Sequence, residues 1–262
     1  MRVAMTLACV LSVLAAASAG EPAAPPAPPA PAPLRVCLVS ASAEYKSDAS
    51  FGEFQTFLES KYCASCSRVF GADKGDTLPG LEAIDSCDVM VLFARRVKLP
   101  PEQLERVKKY FQAGRPLVGL RTASHAFQNY LEFDKEVLGG NYQGHYGVGP
   151  VTQASIAEKA KDHPILAGVK PFTSPASLYK NTGAATDIEL LLTGTIADPK
   201  DKKEITHPLA WTRIHNGGRV FYTSLGSPDD FANENFRRML VNAVFWAAKR
   251  PVEPRPSAVP PK

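Results

Sequence analysis

Polar side chains follow several apolar, strand-like runs of the sequence. In an open α/β sheet, ligands bind beyond the carboxyl ends of the strands, so these positions are the first candidates for a site. His125 could act there as a general acid or base, or it could be a hydrogen-bonded structural histidine. Arg121 could contact an anionic or polyol ligand, or it could form a structural ion pair with Asp229 or Asp230.

The same positions supply further candidates. Asp229 and Asp230 precede the last helical pattern, so one is expected to cap that helix and the other to transfer protons or bind sugar hydroxyls. His145 lies in a glycine-rich segment that either brings backbone close to a ligand or only makes turns. The spacing of histidines and aspartates is not diagnostic of a metal site, and we predict neither a metal nor a cofactor. The predicted catalytic residues are His125, Asp229 and Asp230, and the predicted ligand-binding residues are Ser40, Glu44, Tyr45, Arg95, Arg121, Asn141, Tyr142, His145, Ser224 and Ser227.

An alternation of strand-like and helix-like segments must position these side chains. Phe51, Phe54 and Leu58 fall at helical spacing, and Pro100-Pro101 opens a second amphipathic segment. The segments follow the order β-α-β-β-α-β, with crossovers long enough for helices. They therefore predict an α/β fold with a mostly parallel, doubly wound sheet and helices on both faces. The four strands of this half are predicted at 34–39, 67–70, 88–93 and 116–120.

The second half of the chain predicts a hairpin and a terminal helix. Two strand-like runs flank Asn216-Gly217-Gly218, a sequence typical of a tight turn. Apolar residues recur at helical spacing in the last segment, and Asn233 is its predicted N-cap. The strands are predicted at 151–157, 188–193, 209–214 and 219–224, and the helix over 236–244.

The ends of the chain predict an exported protein. Residues 1–19 combine Arg2, an apolar run and the small residues Ala17-Ser18-Ala19, the pattern of a cleaved secretory signal. The run of about 15 residues is shorter than the roughly 20 that span a membrane, and an uncleaved anchor is the alternative. We predict a periplasmic or extracellular protein without stable membrane insertion, and the oligomeric state stays open. The predicted segments are a signal peptide (1–19), a Pro/Ala-rich spacer (20–33), an α/β domain (34–250) and a disordered Pro-rich tail (251–262).

Charge and cysteine content narrow the function classes. The net charge is +4 at pH 7 with acids and bases interspersed, so no basic run predicts a nucleic-acid partner. Cys37 and Cys87 lie in apolar runs and are predicted to be buried thiols. Cys63 and Cys66 are close in sequence, which in an exported protein favours a local disulfide.

Three segments carry more specific motifs. They read GRPLVGLR followed by SHAF over 114–127, LGGNYQGH over 138–145, and HPLAWT through GRVFYTSLG over 207–226. Together they resemble the ThuA-like family. This resemblance implies a flavodoxin-like, class I glutamine amidotransferase-like doubly wound sheet.

The sequence also departs from those relatives. Glutaminases of this fold carry a nucleophilic cysteine in the sharp turn after the strand matching 116–120. That turn here reads RTAS and offers no thiolate, so we predict no glutaminase activity. Many ThuA-like proteins have histidine where Arg121 and Ser227 stand, and an acidic pair where Ser177-Leu178 stands. Family roles therefore cannot simply be transferred to these positions.

The resemblance implies a role in the utilisation of trehalose or related sugars, with a small carbohydrate as ligand. One hypothesis is an enzyme that acts on a sugar or keto-sugar by acid/base chemistry, as an isomerase, lyase or hydrolase. His125 would be the acid or base, Arg121 would stabilise a developing oxyanion, and Asp229 or Asp230 would hold hydroxyls. The alternative is a non-catalytic sugar-binding or protein-interaction module on the same fold. The Pro/Ala leader favours this alternative because tethers position accessory domains.

Overall fold

The computed structural model of the chain describes residues 32–198 and 200–255. Within these residues, nine strands form one mixed sheet in the order β2-β1-β3-β4-β11-β10-β9-β6-β7, and β5 pairs with β8 in a small second sheet. In chain order the strands are β1 (Leu34–Ala41), β2 (Ala64–Phe70), β3 (Val89–Ala94), β4 (Leu117–Leu120), β5 (Tyr142–His145), β6 (Thr152–Ile156), β7 (Phe172–Ser174), β8 (Tyr179–Asn181), β9 (Glu189–Ala197), β10 (Glu204–His215) and β11 (Gly218–Thr223). The helices are α1 (Ser47–Lys61), α2 (Pro101–Gln112), α3 (Pro228–Ala232) and α4 (Glu234–Ala247).

The first five strands in the order of the large sheet run parallel. Every residue of β3 and β4 is buried, as expected for strands covered on both faces. α1 forms the crossover between β1 and β2, and α2 forms the crossover between β3 and β4. This half of the sheet brings the carboxyl ends of β1, β3, β4 and β11 to one edge, which we call the carboxyl edge.

Helices cover both faces of the sheet. On one face, α1 and α4 contribute Phe51, Phe54 and Phe236 to a single apolar cluster. On the other face, α2 contributes Val107 and Phe111 to a second cluster. Full burial of a side chain of this size stabilises the fold by about 1.5–3 kcal/mol. The predicted doubly wound α/β architecture is thereby confirmed.

The remaining four strands extend the sheet in antiparallel order. The predicted hairpin joins β10 to β11, and both Asn216 and Gly217 have positive φ, +49° and +82°, as a tight hairpin turn requires. The predicted cap of the last helix is also confirmed. Asn233 Oδ1 accepts hydrogen bonds from the backbone N–H groups of Asn235 and Phe236.

Most of the predicted terminal segments cannot be compared with the fold. The signal peptide over 1–19 and nearly all of the spacer over 20–33 lie outside the described residues. Residues 251–255, predicted to be disordered, instead bond to the domain, and Glu253 O accepts from Cys63 N at 2.9 Å. No helix in the described part of the chain is long and apolar enough to cross a membrane.

The cysteine predictions have mixed outcomes. Cys37 and Cys87 are buried, as predicted. Cys66 is a thiol in the structure, so the predicted local disulfide with Cys63 is not formed. Burial raises the pKa of Cys66 to about 12, which keeps this thiol protonated and unreactive at neutral pH.

The glycine that ends α2 cannot be replaced without moving the β10–β11 turn. Gly114 has a φ of +64°, and a Cβ there would lie 2.0 Å from Asn216 O. Gly217 has a φ of +82°, but a Cβ there would meet no atom within 4 Å. Gly217→Ala should therefore cost only the left-handed strain of about 1–2 kcal/mol, and Gly114→Ala should cost clearly more. Urea denaturation of both variants measures the difference, and equal losses would contradict this packing.

Candidate functional site

The turn after β4 is the centre of the carboxyl edge. Arg121 has a φ of +45°, a left-handed conformation that costs a non-glycine residue about 1–2 kcal/mol. A short 3-10 helix over Arg121–His125 begins at this residue. The neighbouring strand holds the turn, because Tyr222 Oη donates a hydrogen bond to Arg121 O at 2.7 Å. The sequence therefore builds a sharp, fixed elbow with an arginine at its apex.

The side chain of Arg121 is 1% exposed and is bound by neutral groups. Its Nη1 donates to Ser224 O at 2.7 Å. Its Nη2 donates to Ser177 Oγ at 2.9 Å and to Tyr45 Oη at 3.2 Å. The guanidinium carbon lies 4.3 Å and 4.8 Å from the ring centroids of Tyr45 and Tyr179, within cation–π distance. We call these five residues the elbow cluster.

No carboxylate neutralises Arg121 within 4 Å among the described residues. Of the two alternatives for Arg121, the direct ion pair with Asp229 or Asp230 is therefore not formed, although the charge of Asp230 contributes to raising the pKa of Arg121. Asp230 instead accepts backbone hydrogen bonds from Gly226 and Ser227, at 2.8 Å and 2.9 Å, and so satisfies N–H groups at the start of the short helix α3. The expectation that Asp229 or Asp230 caps the last helix is wrong, because Asn233 caps α4. Asp229 is exposed on the first turn of α3. The Arg121 Nε atom is buried and has no hydrogen-bond partner in the described chain.

His125 lies at the end of the 3-10 helix, against two tyrosine rings. Its imidazole stacks on Tyr142 with a centroid distance of 4.6 Å and an interplanar angle of 18°. The centroid of the Tyr179 ring is 6.3 Å away, so His125 lies beside one ring of the elbow cluster. Its Nδ1 lies 3.1 Å from Ser124 Oγ. The other ring nitrogen has no hydrogen bond to a described residue and can donate or accept.

The surroundings of His125 keep its imidazole neutral. Burial is the main cause that lowers its pKa to about 3, and the positive charges of Arg96, Arg95 and Arg121 add to it. A neutral imidazole polarises a carbonyl or binds a hydroxyl. It is a weak general base, because proton transfer is most efficient when the pKa lies near the working pH.

A cleft of about 470 Å³ opens beside His125. Its size is within the range of small-molecule sites, and its walls combine apolar and polar groups as such sites do. The predicted contacts Asn141 and Tyr142 line it together with His125. Apart from Ala126, its other lining residues are Arg96, Ser124, Phe127, Gln128, Tyr130, Leu131, Phe133, Asp134 and Lys135.

Asp134 is a cleft residue that the sequence reasoning missed. It begins a five-residue π-helix, Asp134–Leu138, an element found often at functional sites. Its Oδ2 accepts from Tyr142 N at 2.8 Å, whereas its Oδ1 has no partner among the described residues. Burial raises the pKa of Asp134 to about 6, so this carboxyl can exchange a proton near neutral pH.

The two glycines after the π-helix explain how Asp134 is accommodated. Gly139 has a φ of +71° and ends the helix in the left-handed conformation. A Cβ on Gly140 would lie 2.3 Å from Asp134 Oδ1, so only glycine leaves room for the carboxylate. The Gly139-Gly140 pair was the signal in the sequence that could have pointed to a buried group at this place.

Several predicted contacts are bound to other protein groups. Arg95 pairs with Glu44 at 2.9 Å and with Asp73 at 3.3 Å. Ser40 Oγ donates to Asp48 Oδ1 at 2.5 Å. These side chains stabilise the loops after β1 and β3, and none of them lines the cleft.

The other predicted residues occupy different places. His145 is exposed, and its Nδ1 accepts from Gly147 N at 3.0 Å. Ser224 contributes a backbone carbonyl to the elbow cluster, and Ser227 Oγ is buried without a partner among the described residues. Across residues 32–198 and 200–255, no group of three or more His, Cys, Asp or Glu side chains could hold a metal ion. The structure thus brings His125, Asn141 and Tyr142 together, with Arg121 beneath them.

Asp134 and His125 should make opposite contributions to the change of the free energy of unfolding with pH. The pKa of Asp134 is about 6 in the fold against 3.8 ordinarily, so its stabilisation is complete below about pH 3.8 and is lost as pH rises through 6. The pKa of His125 is about 3 against 6.5, so its stabilisation is complete above about pH 6.5 and is lost as pH falls through 3. Between about pH 4 and 6, Asp134→Asn should therefore steepen the rise of stability with pH, and His125→Gln should flatten it. Denaturation at several pH values measures both slopes, and unchanged slopes would contradict these pKa directions.

The chain matches one family in sequence and several solved structures in fold. The model of the ThuA family, described as trehalose utilisation, matches residues 45–247. Putative ThuA-like proteins from Parabacteroides merdae and Bacteroides uniformis have TM-scores of 0.67 and 0.61 at 18% and 19% identity. These alignments cover 86% and 85% of this chain and 94% of each relative.

A more distant likeness extends to part of a larger enzyme. A β-galactosidase from Bacillus circulans has a TM-score of 0.56 at 12% identity, over 84% of this chain and 32% of that chain. At such low identities the structural likeness shows the fold alone. No curated protein matches the chain. Since the family pattern extends over most of its length, the chain belongs to the ThuA family.

Proposed function

We propose that this ThuA family member binds a sugar or keto-sugar in the His125 cleft and acts on it by acid/base chemistry. The observation that carries the proposal is the pair of His125 and Asp134, which line one cleft and have pKa values moved in opposite directions. In enzymes, pairs of titratable groups whose surroundings move their pKa values apart serve as acid and base. The family description, trehalose utilisation, supports a carbohydrate as the ligand class.

The walls of the cleft suit a small carbohydrate, which has both hydroxyl groups and apolar C–H faces. Asn141 and Gln128 offer amide donors and acceptors along the walls. Leu131 is 76% exposed and, with Phe127, offers apolar surface. A few polar groups within a partly apolar cleft are what fixes the orientation of a small ligand.

Proton transfer in this proposal divides between two residues. Asp134 is the better base because its pKa of about 6 lies near the working pH. Its carboxylate takes the proton from the carbon next to the carbonyl and returns it to the former carbonyl carbon. The proton of the neighbouring hydroxyl passes to the former carbonyl oxygen, and the two transfers together isomerise a keto-sugar. His125 stays neutral and donates a hydrogen bond to the oxygen that gains negative charge. Asp134 thus takes the proton-transfer role that the sequence analysis gave to His125, Asp229 and Asp230.

A non-catalytic sugar-binding module is the second candidate, and the elbow cluster favours it. In the glutaminases of this fold, the elbow presents a cysteine to the substrate. Here the equivalent apex residue, Arg121, is covered by Tyr45 and Tyr179 and is 1% exposed. A protein that only binds its ligand needs no reactive group at this apex.

Substitution of Asp134 separates the two candidates. For the enzyme, Asp134→Asn should lower the turnover of a keto-sugar by about 100-fold or more and leave its affinity similar, because the carboxamide keeps the shape of the side chain. Steady-state kinetics and calorimetric titration on the same protein measure both quantities.

Asp229→Asn is the matched control, since it removes the same charge from an exposed residue outside the cleft. Its turnover should equal that of the unaltered protein. Binding without turnover by the unaltered protein would establish the module instead. If Asp229→Asn lost as much turnover as Asp134→Asn, the loss would not be specific to Asp134, and Asp134 would have no role in the mechanism.

Export is a separate proposal, which rests on the pattern of residues 1–19. Expression of the full chain in a bacterium with a periplasm should yield a periplasmic protein that begins at Gly20. Ala19→Arg should block cleavage, because the peptidase reads a small residue there. N-terminal sequencing and cell fractionation check both outcomes, and an uncleaved cytoplasmic protein would contradict the proposal.

A further inference from the structure

Positive charge lies on the wall of the His125 cleft and in the protein interior behind it. Arg96 lines the cleft, and the rings of Tyr142 and Tyr179 lie between the cleft and Arg121. Within the described chain, neither guanidinium has a carboxylate within 4 Å, whereas Glu44 and Asp73 both pair with Arg95. An anion that entered the cleft would therefore contact Arg96 directly, while the buried charge of Arg121 would act on it only through the protein interior.

Arg96 is held at the rim of the cleft by its backbone. It has a φ of +51°, and its N–H donates to His125 O at 2.9 Å. The next residue, Val97, donates to Ala126 O at 2.7 Å. These bonds fasten the chain on both sides of the strained residue, while its side chain remains exposed to an incoming ligand.

Arg121 contributes through the protein interior. Its guanidinium contacts the Tyr179 ring, which in turn lies 4.5 Å from the Tyr142 ring of the cleft wall. A buried charge is screened far less than an exposed one, and the orphaned Nε shows that the protein itself leaves this guanidinium incompletely satisfied. The one carboxyl among the described cleft residues, Asp134, has an oxygen held by Tyr142 N at 2.8 Å.

We propose that the ligand of this cleft is an acidic sugar, whose carboxylate binds the guanidinium of Arg96 over the buried charge of Arg121. This inference rests on the proposed function and adds the class of sugar. A carboxylate is favoured over a phosphate ester because it carries a single negative charge, which the one guanidinium on the cleft wall can neutralise through two parallel hydrogen bonds. A phosphate dianion would need further donors.

The test compares acidic sugars with their neutral counterparts at about 0.15 M ionic strength. Calorimetric titration or ligand-observed NMR would measure the affinities of glucuronate and glucose, of galacturonate and galactose, and of glucose 6-phosphate. At least one uronate should bind about tenfold tighter than its neutral counterpart, since a hydrogen bond to a charged group is lost in the neutral sugar. Arg96→Gln should abolish that preference, so that the uronate and its neutral counterpart bind with equal affinity.

Lys98→Gln is the matched control, because it removes the same charge from an exposed residue that does not line the cleft. The preference should persist in this variant. Equal binding of uronates and neutral sugars would overturn the inference and leave the proposed function standing. A stronger preference for glucose 6-phosphate, or an equal loss in Lys98→Gln, would also overturn it. Binding of no sugar at all would remove the proposed function, and the inference with it.

Discussion

The buried charge of Arg121 is the interaction on which the carboxyl edge depends. A guanidinium that is 1% exposed has lost its hydration, which is costly unless other groups replace the water. Its replacements are a backbone carbonyl, two hydroxyls and two tyrosine rings. They come from three separate parts of the chain: the segment after β1, the region of β8 and the residue after β11. The protein groups that replace water around Arg121 therefore hold the small sheet and the parallel half of the large sheet in one arrangement.

The same charge shapes the chemistry of the neighbouring cleft. Arg121 and two arginines near the cleft add to the burial that lowers the pKa of His125. Burial raises the pKa of Asp134 by more than the hydrogen bond from the Tyr142 N–H and the charge of Lys135 lower it. His125 is thus kept neutral, and the pKa of Asp134 is brought near physiological pH. Neither outcome depends on a contact between the two side chains, because each follows from its own surroundings.

Local pattern predicted the framework of this fold, but it could not predict the site. The runs at 34–39 and 88–93 form buried parallel strands, because apolar β-rich segments that alternate with helices are buried most completely in a sheet that helices cover on both faces. The small sheet was missed, since β5 and β8 are short and pair across a long sequence separation. Asp134 was missed because its pKa comes from burial in a π-helix, and no spacing in the sequence announces that element.

The elbow also constrains where chemistry can occur. A nucleophile at its apex must face the substrate, but the apex of this chain is closed by the rings of Tyr45 and Tyr179. Reopening it would expose a guanidinium that already has three hydrogen bonds and two ring contacts. The open space at this edge lies beside the elbow, where His125 ends the following turn and the cleft begins. There the arginine acts through its charge while its side chain remains covered.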